Sequence, residues 1–218
     1  MRLSKARKEV LTGMMKDAIF EAALSVFQEH GIHGLTMDRV AAAAKSAKGS
    51  LYNYFENKND LLRFVYMRIV EPISQMIEQI AQADLPAPQK LEEIFRALLQ
   101  HFLKHGGAFG ILMRDETIQD IVASAKQRGR AHALECFTVI FEQGIREGAF
   151  GAHDPAHTGR MFLGCVSELF DIQAAGGPSA TARQYVDAVL SMFFNGLSVG
   201  TDEVCGAVER RRPSTILT

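Results

Sequence analysis

The sequence predicts an all-helical fold, and three observations point to it. Apolar residues recur at three- and four-residue spacing, as in Ile19, Ala23, Val26 and Phe27, and do so again in later segments. Strict alternation of apolar and polar residues, the mark of a half-buried strand, is nearly absent. Proline and glycine gather at a few points, chiefly residues 84–88, 106–107, 148 and 176–178, and so punctuate long stretches rather than short strands. With 218 residues, 47% of them apolar, the chain can build a real core as one large or two small domains.

The stretch that begins at Ile19 reads as the first long helix. Thr36 then suits an N-cap, since its hydroxyl can accept from an orphan amide of the next helix, and Asp38 suits the positive end of that helix dipole. Val40, Ala41 and Ala44 recur at helical spacing, and their small size allows close packing against a neighbour. Lys45, Ser46 and Ala47 form a three-residue break. A further helix carries Lys48 to Phe55, with Leu51, Tyr54 and Phe55 on one apolar face and Lys48, Ser50, Tyr52 and Asn53 on others. Gly49 would let a sugar-phosphate strand approach the backbone, at a cost of about 1 kcal/mol relative to alanine. Two short helices around a tight break, the second rich in small, basic and aromatic residues, read as a DNA-binding helix-turn-helix.

Asn57 caps the next helix, which runs through Leu61, Val65, Ile69, Ile73 and Ile77 to Ile80, and Pro72 should kink or divide it. Residues 84–88, DLPAP, form a linker because two prolines exclude a helix interior. A helix from Gln89 to His105 follows and ends at Gly106 and Gly107. A short apolar helix from Ala108 to Arg114 comes next, then a long one from Ile118 to Glu147 that stops at Gly148. Asp154 caps a helix with Pro155 at its first position, running to about Ala175. Ser179 or Thr181 caps the last helix, Ala182 to Leu197. The segment 200–218 has no apolar period and reads as a mobile tail.

Charge is uneven along the chain. Residues 1–58 hold nine Lys or Arg against six Asp or Glu, and the remainder holds fifteen against nineteen. The basic end coincides with the helix-turn-helix, and Arg2, Lys5, Arg7 and Lys8 form a basic arm ahead of the first helix, either a phosphate-seeking segment or a solubilising tail. No run reaches the ~18 apolar residues of a membrane span, and the N-terminus lacks the apolar stretch of a secretory signal, so a cytoplasmic protein is expected. Cys136, Cys165 and Cys205 are odd in number and widely spaced, which indicates neither a disulfide framework nor a zinc site.

His101 and His105 sit four apart, at metal-sharing spacing, and His132 could join them. No carboxylate or cysteine completes a set, so no metal and no cofactor are expected. Glu168 and Asp171 could floor a site for a cationic ligand, though ion-pair partners at an interface is the plainer reading. Phe95, Phe102, Phe109, Met113, Phe137, Phe141 and Phe162 are candidates for an apolar effector pocket or for plain core. Met161, Val166, Leu169, Phe170, Val189, Phe193 and Leu197 are candidates for a two-fold interface, because the last two helices are apolar on more than one face. Nucleophile elbows, phosphate-binding glycine loops and metal-protease patterns are missing, so an enzyme has little support.

The run KGSLYNYFENKNDLL resembles the signature of TetR-type transcriptional regulators, and the likeness extends back through AIFEAALSVFQEHGIHGLTMDRVAAAA to cover about residues 14–62. The resemblance implies about nine helices: a three-helix DNA-binding domain over residues 1–58 and a helical effector-binding and dimerisation domain over 59–199. It implies that Thr36, Tyr52 and Lys58 touch phosphates while Lys48, Ser50 and Asn53 lie nearest the base edges, with Gly49 letting the strand approach. The chain departs from the family at the turn, where glycine, an apolar residue and Ser or Thr are usual. Lys45 must then take the dihedral of the usual glycine, where its charge could meet a phosphate, and Ser46 is left to cap the recognition helix, both being counted with the DNA-binding residues. A homodimeric repressor is implied, binding a palindromic double-stranded operator and released by a small molecule. An activator or ligand-independent regulator of the same fold is the alternative, as is a helical dimer that does not act on DNA.

Overall fold

A computed structural model describes the backbone of residues 5–175 and 179–197, and their side chains apart from 5–6, 102–114, 117, 173–174 and 179. The described residues form eight helices: α1 (Lys5–Gly34), α2 (Met37–Ala43), α3 (Lys48–Tyr52), α4 (Lys58–Gln82), α5 (Ala87–Arg114), α6 (Glu116–Arg146), α7 (Pro155–Ala174) and α8 (Ser179–Leu197). The expected tail and Cys205 lie outside the described residues. None of these helices is long and apolar enough to cross a membrane.

Local chemistry sets most helix ends. Gly31 takes φ 64° near the end of α1, a left-handed value that glycine adopts freely, and so turns the chain toward α2. Thr36 caps α2 by accepting from the Arg39 amide at 3.2 Å, and Asn57 caps α4 by accepting from the Asp60 amide at 3.0 Å. Asp115 and Asp154 cap α6 and α7 in the same way. Gly148, at φ 70°, ends α6, with amides 148 and 149 donating back to Ile145 and Gly144.

Several sequence expectations need correction. The break at Gly106–Gly107 does not occur: α5 runs unbroken to Arg114, so eight helices stand where about nine were expected. Two glycines cost an α-helix about 2 kcal/mol, a local penalty that does not stop the helix here. Pro72 does not divide α4; it sits on the exposed side of a helix whose opposite face is buried from Leu61 to Ala81. Lys5, Arg7 and Lys8 lie within α1 rather than ahead of it. Thr181 lies inside α8 and does not cap it, and the side chain of Ser179, the first described residue of α8, lies outside the described set.

The core is continuous from α1 to α8. Its centre is a cluster of rings: Phe162 meets Phe95, Phe137 and Phe193 edge-on, with centroids 5.0–5.3 Å apart. A polar knot closes the far end. Lys90, only 4% exposed, donates to the Ala81 carbonyl and to Gln143 Oε1, both at 2.7 Å. Gln143 donates to the Leu85 carbonyl at 2.9 Å, and Glu147 accepts from the Ala87 amide at 3.0 Å. The end of α4, the linker, the start of α5 and the end of α6 are thereby joined, and every buried polar group named here has a partner.

The bond from the Ala87 amide holds the Glu147 carboxyl below its ordinary value of 4.5. A carboxyl lowered in the folded state contributes stability that is present above about pH 4.5 and is lost as pH falls through the folded value. Replacing Glu147 by Gln should lower the melting temperature at pH 7 and flatten the fall of stability below pH 4.5. Thermal melts by circular dichroism between pH 3 and 7 check this; parallel curves for both proteins would rule it out.

Candidate nucleic-acid interface and ligand cavity

The exposed strip begins at the turn after α2. The Lys45 amide donates to the Ala42 carbonyl at 3.0 Å and the Ser46 amide to the Ala41 carbonyl at 2.9 Å, a pairing that requires a left-handed residue between them. Lys45 supplies it at φ 51°, among the described residues the one non-glycine with positive φ. Glycine would do so without strain; lysine costs about 1 kcal/mol and places an exposed ammonium at the turn.

Ala47 is the N-cap of α3 and offers no side-chain bond, while the Ser46 hydroxyl is buried without a described partner. The expectation that Ser46 caps the recognition helix is therefore wrong, because its side chain turns inward. The helix is also shorter than expected: α3 ends at Tyr52, and Asn53 and Tyr54 form a tighter turn through bonds to Ser50 and Leu51. Leu51 and Phe55 anchor it in the core. On the outer side Lys48, Gly49, Tyr52 and Asn53 are exposed, Tyr52 by 46%, and Ser50 is half-buried. A Cβ built on Gly49 meets nothing within 4 Å, so the backbone is open to a strand from outside.

Three charged groups are already engaged. Lys48 pairs with Asp38 at 2.7 Å, and the hydrogen bond to that carboxylate raises the ammonium above its ordinary value. Half-buried Lys58 donates to the Ile32 carbonyl at 3.0 Å, bracing the α1–α2 connection. The Thr36 hydroxyl serves as cap, and Arg39 reaches the Gly34 carbonyl at 2.9 Å. Asp38 as a partner of Lys48 was missed in the sequence, although the acid lies on the helix just before the turn.

A cavity of about 250 Å³ opens between α4, α6 and α7. Tyr66, Ile73, Ile77, Ala133, Leu163 and Val166 give it apolar walls, and Ser74, Lys126, Arg130, Ser167 and Asp171 supply polar groups. Of the aromatic residues expected to form a pocket, the described ones, Phe95, Phe137, Phe141 and Phe162, do not line it. Phe95, Phe137, Phe141 and Phe162 are fully buried and pack ring against ring. The side chains of Phe102, Phe109 and Met113 lie outside the described set. Lys126 and Arg130, four apart and flanking Gly129 on α6, were the signal that an aromatic search overlooked.

The expected interface residues divide. Val166, Leu169, Val189 and Phe193 are buried within the protomer and unavailable to a partner, since spacing alone does not say which face of a two-sided helix turns inward. Phe170 and Leu197 are half-buried. Met161 is 63% exposed, and Met192 on α8 is 58% exposed. His132 lies 3.5 Å from Glu78, and the His105 side chain lies outside the described set. No group of three or more metal-ligating residues occurs among the described residues.

Replacing Lys45 by Gly should raise stability by about 1 kcal/mol, read as the urea midpoint, because only the left-handed strain is removed. An unchanged midpoint would mean that the turn stores no strain.

Residues 19–65 match the family described as bacterial regulatory proteins, tetR family, and residues 84–197 match the tetracyclin repressor-like C-terminal domain. The chain is 33% identical over 155 residues to the HTH-type transcriptional repressor BepR of Brucella suis biovar 1 (strain 1330), covering 68% of this chain and 74% of that one. It is 29% identical over 205 residues to the HTH-type transcriptional repressor DhaR of Mycobacterium sp. (strain GP1), covering 87% and 96%. The solved SmeT–triclosan complex shares the fold at a TM-score of 0.69 and 19% identity, covering 88% of this chain and 94% of that one. Proteins of this kind are DNA-binding regulators rather than enzymes. With both of its parts matched, the chain belongs to the tetR family of bacterial regulatory proteins.

Proposed function

We propose that this transcriptional regulator is a cytoplasmic homodimeric repressor, which binds a palindromic double-stranded operator and is released by a small molecule. The observation that carries the DNA reading is the outer side of the α2–α3 unit. Lys45, Lys48, Gly49, Tyr52 and Asn53 are exposed there while Leu51 and Phe55 hold the same short segment in the core. On this reading Lys45, Tyr52, Lys58 and Thr36 position the strand through its phosphates, and Lys48, Ser50 and Asn53 meet base edges. Residues 1–58 form the DNA-reading unit, and residues 59–199 form the regulatory unit, the boundary falling at the first turn of α4. Repression is supported by the named functions of BepR and DhaR.

A single α3 spans few base pairs, so sequence-specific binding calls for a second copy related by two-fold symmetry. The outer faces of α7 and α8 suit that contact. Met161 and Met192 are exposed there, and Cβ atoms built on Gly164 and Gly196 meet nothing within 4 Å, which leaves room for a partner helix to come close. On this reading the interface lies on residues beside the four buried ones named from the sequence. Replacing Met192 by Glu should convert the dimer to monomer in sedimentation experiments while leaving the helical circular dichroism unchanged; a persistent dimer would move the interface elsewhere.

Effector response is supported by the position of the cavity. Tyr66, Ile73 and Ile77 belong to α4, whose first turn follows α3 directly, so a ligand that parts α4 from α6 and α7 shifts the DNA-reading unit. Such a ligand releases DNA only as far as it prefers the non-binding arrangement.

Operator binding should be tested on the DNA upstream of the chain's own gene, titrated with salt. Replacing Lys48 by Ala should weaken operator binding by about 1–3 kcal/mol, replacing Tyr52 by Ala should weaken binding to all sequences alike, and replacing Lys45 by Ala should lower the salt slope by about one. Equal and weak binding of every sequence by the unaltered protein would favour the helical dimer that does not act on DNA.

A further inference from the structure

The polar groups of the cavity between α4, α6 and α7 say more than that a ligand enters. Its depth is apolar: Tyr66, Ile73, Ile77, Ala133, Leu163 and Val166 are all buried. Polar groups collect toward solvent, where Arg130 and Asp171 are exposed and Lys126, Ser74 and Ser167 half-buried. Lys126 and Arg130 lie one turn apart on α6, so both ends reach the same edge. Two cations face one carboxylate there.

The cations are steered as well as present. Arg130 Nη1 donates to the Ser167 hydroxyl at 3.0 Å, and that hydroxyl donates in turn to the Leu163 carbonyl at 2.8 Å. The guanidinium is thus held over the opening by a fixed oxygen while its other donors stay available. Lys126 leans on Gln119 Oε1 at 2.6 Å, which keeps its charge near the rim without neutralising it. The volume, about 250 Å³, falls below the roughly 300–1,000 Å³ of drug-sized sites and suits a short chain or a single ring.

We infer that the cavity takes a small amphipathic carboxylate, its alkyl or aryl body against the α4 and α7 walls and its anionic head between Lys126 and Arg130. The inference rests on the ligand-responsive reading of the same cavity. A neutral apolar molecule would fill the depth and leave both cations without a partner from the ligand. A cationic amphiphile would meet two like charges against one opposite charge, which disfavours it.

Isothermal titration calorimetry on the full chain tests this with octanoate, 1-octanol and octylamine as probes. Octanoate should bind once per chain, at least roughly tenfold tighter than octylamine. The double variant Lys126→Gln, Arg130→Gln should lose most of that preference, and Asp171→Asn should tighten octanoate binding. These three positions are exposed or half-exposed, so the variants keep the core. Equal binding of the three probes, no binding of octanoate, or indifference of octanoate to the double variant would overturn the inference. Gly129→Leu separates it from the broader reading. A Cβ there meets only Ser74 Oγ, at 3.8 Å, so the added side chain enters open space and obstructs the cavity. If a neutral or cationic effector released the unaltered protein from DNA but not Gly129→Leu, the responsive cavity would stand and the carboxylate assignment would fall.

Discussion

One face of α4 is buried from Leu61 to Ala81, and the two halves of the molecule are joined through it. A helix of 25 residues spans about 37 Å, so what happens at one end is carried to the other if the rod stays whole. At the near end Arg68 pairs with Asp17 of α1 and lies 5.4 Å over the Phe20 ring, while Phe64 packs on Phe55 just beyond α3 with centroids 4.9 Å apart. At the far end Lys90 binds the Ala81 carbonyl. Between them Tyr66 serves both as core and as cavity wall. Pro72 removes the one amide that would bond to the Arg68 carbonyl, so the helical ladder is weakest between the anchor on α1 and the lower cavity residues Ile73 and Ile77. Burial of the opposite face keeps the helix continuous there, and a single missing bond gives it a place to bend.

What could be read from the sequence follows the range of the forces involved. Caps act within four residues, so Thr36, Asn57 and Asp154 were legible, as were the left-handed Lys45 and the stop at Gly148. The helix-turn-helix was legible for the same reason, since its turn and its anchors Leu51 and Phe55 lie within a dozen residues. The continuity of α5 through Gly106 and Gly107 was not, because a local penalty of a few kcal/mol is decided by partners far along the chain. The Ser46 side chain turned inward for a reason no local rule contains. On α7 the apolar positions occupy two faces, and only the position of α6 and α5 assigns Val166 and Leu169 to the inside and Met161 to the outside.

The electrostatics of the DNA-facing side are more balanced than a count of lysines suggests. Lys48 and Asp38 satisfy each other across the turn, and both are well exposed, so the pair adds little to stability. Its effect falls on binding. On the proposed reading, a phosphate or base edge must take Lys48 from a carboxylate that stays nearby, and the remaining acid repels the backbone it faces. The exchange lowers affinity for any DNA, whereas a site with a well-placed acceptor recovers the loss; discrimination therefore rises as general attraction falls. Lys45 acts oppositely, adding an ammonium that no described acid neutralises at a position where glycine would be less strained.

The same logic governs the cavity. A fully packed interface between α4, α6 and α7 would hold the helix in one position and give a ligand nothing to change. Gly129 and the void beside it leave α4 supported by fewer atoms at the level of Ser74 than a filled interface would give. The packing deficit costs stability, and it lets the energy of filling the void act on the position of α4 rather than on the closed cluster around Phe162. Coupling is reciprocal, so DNA that fixes the near end of α4 must weaken the ligand by the factor through which the ligand weakens DNA. A ligand held by its body alone could exert that force only through shape. One held also by Lys126 and Arg130, as proposed, would be fixed to α6 at the rim while its body presses on α4, so that both helices would bear on the same ligand.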